Sequence, residues 1–158
     1  MNDAAEMRLF MNGICDAVKK RLAMDNEKDK LAEVTTFFKN ELAKEFHYSA
    51  YAACFSKYRD DAAQWDRYGH FGQGVCIAFN EELMEQMIGG AVFLKEVFYQ
   101  ENMQEHHLVD AFYQLIKNAD DFHKEQPELL HLMNEAWVQS AAFKHPSFSS
   151  EREFRLVV

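Results

Sequence analysis

Between Met7 and Leu42 apolar residues recur every three or four positions, and at His47 that rhythm stops. Met7, Phe10, Ile14, Val18 and Leu22 form one stripe; Leu31, Val34, Phe38 and Leu42 form a second. Such spacing lays apolar side chains along one helix face. It predicts two helices, Asp3 to about Met24 and Glu27 to Phe46, separated at Asp25-Asn26. Asn2 or Asp3 caps the first, with Glu6 completing a capping box after Asp3. Lys19, Lys20 and Arg21 suit the negative end of its dipole. The charged residues of the second helix read as a solvated face. Neither helix carries a site signature.

From His47 the composition changes. The run HYSAYAACFS is small, aromatic and uncharged, which fits a buried strand ending at Ser56. Asp60-Asp61 then caps a short helix through about Tyr68, and Gly69, Gly72 and Gly74 mark a turn. Val75 to Phe79 reads as a second strand. Asn80 caps a helix from Glu81 to Ile88, closed by Gly89-Gly90. Ala91 to Gln100 is apolar on both sides, which predicts a central strand. Helical spacing returns from Asn102 to Lys124 through Leu108, Phe112, Leu115 and Phe122. Pro127 opens a last helix, lined by Leu130, Met133, Trp137 and Ala141 and stopped by His145-Pro146. Phe148 to Val158 reads as the final strand. Strands and helices do not alternate regularly, so the fold class is α+β. The expected architecture is two N-terminal helices followed by a small mixed or antiparallel sheet with packed helices, in one domain over 1–158.

The formal net charge of −9 speaks against a surface that tracks nucleic-acid phosphates, which needs clustered Lys and Arg. Three cysteines, Cys15, Cys54 and Cys76, are an odd number without a CxxC pair. Reduced, buried thiols are expected rather than a disulfide scaffold or a zinc site. The opening MNDAAEMRLF has no basic segment followed by an apolar one, so no signal peptide is expected. No apolar run reaches the ~18 residues that a membrane span needs. The expectation is a soluble cytoplasmic protein without nucleic-acid or membrane partners.

Glu151, Glu153 and Arg155 alternate, so on a strand they leave one face while Phe154 and Leu156 reach the core from the other. One reading is a solvent-exposed face on which Arg155 shields two carboxylates. The other is a carboxylate held in a cleft, stabilising positive charge or accepting a proton, with an adjacent Arg or Lys fixing its ionised form. Trp65 and Tyr68, at i and i+3 of a helix, are either core packing or an aromatic wall for a planar ligand. Ser56 either turns the chain or hydrogen-bonds a ligand. The glycines are followed by a strand, where a dinucleotide loop needs a helix, so a tight turn is the better account. Glu128 and His131 form a lone ExxH pair, with Glu135 one turn on, whereas di-iron bundles need two such pairs. His106, His107 and Asp110 are similarly isolated, so no metal is expected.

Cys54-Phe55-Ser56, then Trp65 and Tyr68, then Gly74 to Asn80, resemble the bacterial domain-of-unknown-function family 2971. So do Lys144, Phe148 and the E-x-E-x-R run Glu151-Arg152-Glu153-Phe154-Arg155, and the opening Asn2-Asp3-Ala4-Ala5-Glu6. Departures are Ala4 in place of Pro, Arg67 in place of His, and Gly72-Gln73 in place of His-Lys. The family usually carries strands ahead of Asn-Asp. The chain therefore reads as a fragment, an alternative start or a shortened member.

The family's strand pattern is similar to that of the ADP-ribosyltransferase superfamily. There a first-strand Arg or His grips NAD, a Ser-containing strand shapes the pocket and an E-x-E strand supplies the catalytic Glu. The resemblance implies Glu153 as catalytic residue with Glu151 as its partner. It implies Ser56, Trp65, Tyr68, Lys144 and Arg155 as ligand-binding residues, and NAD as substrate, with a nucleotide or a protein as partner. The first motif has no counterpart here. The alternative is a catalytically inactive interaction domain that self-associates as a homo-oligomer.

Overall fold

The computed structural model describes residues 4–44, 52–88, 92–100 and 102–157. In chain order the elements are α1 (Ala4–Met24), α2 (Lys28–Leu42), β1 (Ala52–Ser56), α3 (Ala62–Arg67), α4 (Glu81–Met87), β2 (Phe93–Glu96), β3 (Phe98–Tyr99), α5 (His107–Asn118), α6 (Gln126–Ser140), β4 (Phe143–Lys144) and β5 (Glu153–Val157). A 3-10 turn at Met103–Glu105 precedes α5, and another at Pro146–Glu151 precedes β5. The fold is α+β, with two helices leading. The elements group into two compact units, one drawn from Asp3–Ser49 and Glu101–Ser140, the other from Ala50–Gln100 and Ala141–Val158.

The first unit is helical. Its centre is α1, which packs against α2, α5 and α6. All five residues of the predicted stripe, Met7, Phe10, Ile14, Val18 and Leu22, are buried. Asn26 takes a left-handed conformation (φ 61°) after α1, and the Glu27 N–H reaches back to the Leu22 carbonyl at 3.0 Å. That is a helix stop which Asn tolerates well. Gly13 lets the first 3-10 turn approach, because a Cβ there would meet Met103 Cγ at 2.8 Å. Phe38 of α2 stands edge-on to Phe112 of α5, with centroids 5.5 Å apart. His106 caps α5 by accepting the Leu108 N–H at its Nδ1, and its ring is buried.

The second unit holds an antiparallel sheet in the order β1-β5-β2, with β3 and β4 paired in parallel beside it. Asp61 caps α3 by accepting from the Ala63 N–H, and Asn80 caps α4 by accepting from the Leu83 N–H, as the sequence predicts. Gly69 sits where a Cβ would meet the Trp65 ring at 2.5 Å, so the turn after α3 folds tightly onto that ring.

Several expectations need correction. Val75–Phe79 is no strand: it is irregular and exposed. Its alternation suits a sheet, but among the described residues it is paired with no strand, and a strand exists only with a partner. Ala91–Gln100 is not one central strand. Val97 divides it into β2 and β3, which belong to different sheets, and β2 is an edge. The centre is β5 instead. Phe148 to Glu151 is 3-10 helix rather than strand. The helix expected over Asn102–Lys124 is α5 alone, preceded by its 3-10 turn. Cys54 and Cys76 are exposed, and only Cys15 is buried. The predicted cap at Asn2 or Asp3, the strand start at His47 and the stop at Gly89-Gly90 lie outside the described residues.

His106 generates a pH test. Burial first, then the neighbouring His107, push its pKa down from 6.5 to about 4, against a smaller upward pull from Glu135. A depressed histidine stabilises fully above its unfolded value and loses that contribution as pH falls from 6.5 through 4. The urea midpoint, read by Trp137 fluorescence in a Trp65→Phe background, should fall over that window. His106→Asn keeps a cap acceptor but cannot titrate, so the fall should shrink. An equal fall in both proteins rejects the assignment.

Candidate functional site

At the start of β5 the chain places four charged side chains out of water. Glu151, Glu153, Arg155 and Lys144 are 2%, 6%, 3% and 8% exposed. This reverses the expected polarity of β5. Its charged face is buried and Phe154 and Leu156 are half-exposed. The reason lies in the cover on that face: Arg155 Nη1 donates to the carbonyls of Ala141 (2.9 Å) and Phe143 (3.3 Å), so the segment running into β4 closes over it.

Arg152 makes the cluster possible. It adopts the left-handed region (φ 47°, ψ 61°) between the 3-10 turn and β5. A left-handed residue is costly for a branched or bulky side chain and marks a tightly determined backbone. Its guanidinium lies over the Tyr58 ring, 4.7 Å from the centroid, and its carbonyl accepts the Lys57 N–H at 2.9 Å. The reversal lets Glu151 and Glu153 converge although only Glu153 is on the strand. Lys144 Nζ donates to Glu151 and, at 3.2 Å, to Glu153. Arg155 holds Glu153 through Nε and Nη2 at 3.3 and 3.2 Å. Arg67, at the end of α3, donates to Glu151 Oε1 at 2.6 Å. Gln64 donates to the Glu151 carbonyl at 2.9 Å. The Glu153 N–H donates to Tyr99 Oη at 3.1 Å.

The two carboxyls share the Lys144 ammonium, and their proton affinities move apart. Burial pushes Glu151 up, but the hydrogen bonds from Lys144 and with Glu153, the Lys144 charge and Arg67 together outweigh it and hold the group below its ordinary range. Burial also pushes Glu153 up, the hydrogen bond with Glu151 adds to it, and Lys144 and Arg155 only partly offset the rise. Burial pulls Lys144 down, yet its contacts with both carboxylates more than restore it and keep it charged. Glu151 therefore carries the charge and Glu153 retains a proton more readily.

The structure brings Lys144, Glu151, Glu153 and Arg155 together, with Tyr68 at the edge. Tyr68 is exposed; burial of its phenol first and then the nearby Glu151 charge raise its pKa. Phe148 presents its ring 5.2 Å from Lys144 Nζ. Ser56 lies opposite Glu153 on the β1–β5 ladder, with its hydroxyl turned to the Tyr58 carbonyl at 3.2 Å. Trp65 is not in the cluster: its Nε1 donates to Asp60 at 2.7 Å. Arg67 and Tyr99 escaped the sequence reading. Arg67 was visible only as a cation one position before Tyr68, and nothing in the spacing ties Tyr99 to Glu153. Among the described residues no group of three or more His, Cys, Asp or Glu is placed to hold a metal ion, and no helix is long and apolar enough to cross a membrane.

The cluster residues from Gln64 to Arg155 fall within one comparison. The family model described as a protein of unknown function (DUF2971) matches residues 64–156, more than half of the chain. The chain belongs to this family. The DUF2971 match takes in Tyr68, Lys144 and the E-x-E-x-R run, while Cys54-Phe55-Ser56 lies just ahead of it. No curated protein and no solved structure matches the chain.

Removing one partner from a buried ion pair leaves an uncompensated charge and costs roughly 3–5 kcal/mol. Lys144→Met should lower urea stability by about that amount, while the exposed Lys124→Met should change it by less than ~0.5 kcal/mol. The pH dependence has two signs. The Glu151 contribution is full above the ordinary carboxyl value of 4.5 and is lost as pH falls through its lower folded value. The Glu153 contribution is full below 4.5 and is lost as pH rises through its raised folded value. Glu153→Gln should therefore flatten the decline in stability above pH 4.5. Parallel profiles for the two proteins would rule out a raised Glu153.

Proposed function

We propose that Glu153 and Glu151 form the working centre of an ADP-ribosyltransferase-like domain that handles NAD or a related nucleotide. The observation that carries this reading is the convergence of two buried carboxyls on the Lys144 ammonium, in surroundings that drive their proton affinities in opposite directions. Such a separation is how one site supplies distinct acid–base roles. Ionised Glu153 holds the nicotinamide ribose and stabilises the oxocarbenium-like charge. The C1′–N bond breaks with its electron pair leaving on nicotinamide, and an acceptor or water forms the new bond at C1′. Glu151 positions that acceptor, and Glu153, the carboxyl with the higher proton affinity, takes its proton. Lys144 and Arg155 hold Glu153 in place. Tyr68 and the half-exposed Phe148 offer ring faces beside the carboxylates, and Ser56 lies on the rung of Glu153 for a ligand hydroxyl. Trp65 supports the turn that carries Tyr68. Because Glu151 is covered by the Arg67 ion pair, ligand entry requires Arg67 to exchange that carboxylate for a ligand phosphate, a bidentate partner that suits a guanidinium.

A second reading is a catalytically inactive interaction domain that self-associates. It is favoured by Phe71, Val75, Ile77 and Phe79, which stand 79%, 89%, 72% and 60% exposed in one segment; clustered exposed apolar side chains commonly mark an interaction surface.

Thermal unfolding with and without NAD, paired with nicotinamide release, separates the two. On the first reading NAD raises stability by ~2.7 kcal/mol at a hundredfold excess over its dissociation constant. Tyr68→Ala weakens that effect, and Glu153→Gln lowers nicotinamide release on the order of a hundredfold or more. No shift at millimolar NAD, with a concentration-dependent dimer in light scattering, favours the second.

A further inference from the structure

We infer that the sheet face opposite the carboxylates carries a separate binding site for a small amphipathic anion with a ring-bearing apolar body. A cavity of about 540 Å³ opens there, within the ~300–1,000 Å³ of ordinary small-molecule sites. Its floor is built from three strands. Phe55 of β1 lies directly opposite Phe154 of β5, and Leu94 of β2 leaves the same face. Phe79 closes one side, standing edge-on to Phe55 with centroids 5.4 Å apart and planes at 79°. Ile77 extends that wall. Offset and edge-to-face aromatic contacts favour a planar ring between such side chains.

The wall is made by the irregular Val75–Phe79 segment, which has strand-like alternation but is paired with no strand. Its apolar side chains remain largely wet, and covering them with an apolar body is favourable at about 25 cal/mol per Å². The polar rim offers one cation to a ligand. Lys57 is held by Glu96 at 2.9 Å and Glu81 also lines the cavity, whereas Arg59 forms no ion pair among the described residues. The Arg59 guanidinium beside the apolar floor fits a carboxylate or sulfonate attached to a ring system. The site is distinct from the carboxylate cluster, since Phe154 and Glu153 leave opposite faces of β5.

One thiol reports on it. Cys76, on the wall segment, lines the cavity and is exposed, whereas Cys54 pairs with Arg155 and so leaves the carboxylate face. Cys15 is buried, and burial pushes its thiol up to about 12, so it serves as the unreactive internal reference. The probe is 8-anilinonaphthalene-1-sulfonate, titrated into the full chain at pH 7 with near-UV circular dichroism reporting the native fold. Saturable one-to-one binding is expected, and at saturation maleimide labelling of Cys76 should slow at least fivefold. Arg59→Glu and Ile77→Asp, both at exposed positions, should each weaken binding about tenfold while leaving the unfolding midpoint in place. Non-saturable binding, unchanged labelling at saturation, or an affinity in both variants equal to that of the unsubstituted chain overturns the site.

Discussion

Taking an ion out of water costs several kcal/mol even after the protein relaxes around it. At the start of β5 this happens to two carboxylates, an ammonium and a guanidinium within one neighbourhood. No member of that group is tolerable alone. The surrounding structure can be read as the set of devices that keep the charges matched. The left-handed residue at Arg152 turns Glu151 back toward Glu153. The parallel β3–β4 pair carries Lys144 to both, and the end of α3 delivers Arg67. The carbonyls of Ala141 and Phe143 take the Nη1 hydrogens of Arg155.

Such a network has two uses, and they are compatible. As structure, it fixes the register of β5 against β1 and β2, because a slip of one residue would carry Glu153 and Arg155 to the opposite face and leave Lys144 unmatched. As chemistry, it drives the proton affinities of two adjoining carboxyls apart. On the proposed reading the same groups carry both function and stability, so substitutions there couple the two. Measurements on such variants need a folding readout beside the functional one.

The helical part of the chain was legible because its signal is local. The α1 stripe is buried residue for residue, and Asp61 and Asn80 cap the helices they precede. Strands were less legible because composition does not reveal a partner. Val75–Phe79 has the alternation of a strand and no ladder, while Ala91–Gln100 is split at Val97 between two sheets. Of the E-x-E-x-R run, Glu153 and Arg155 share a face of β5 as the alternation predicts, whereas Glu151 stands in 3-10 helix and joins them only through the turn at Arg152; period two says only which residues share a face. Which face is buried depended on Lys144 and on the segment from Ala141, and their arrival is a tertiary event. Arg67 and Tyr99 reach the cluster from far along the chain, so no local pattern announces them.

The strand order β1-β5-β2 has a consequence for assembly. Ala52 pairs with Val157 and Phe93 pairs with the same residue from the other side. Neither outer strand touches the other, so both wait for residues 153–157 before either gains a ladder. During synthesis β1 and β2 leave the ribosome early and remain unpaired while α5 and α6 are made. Closing such distant contacts is slow relative to local helix formation. The helical unit's α1 and α2 can form from neighbouring residues, whereas the sheet closes last, around its centre. Segments that wait in this way expose backbone to mispairing, and their short length, four and five residues, limits the template they offer to another chain.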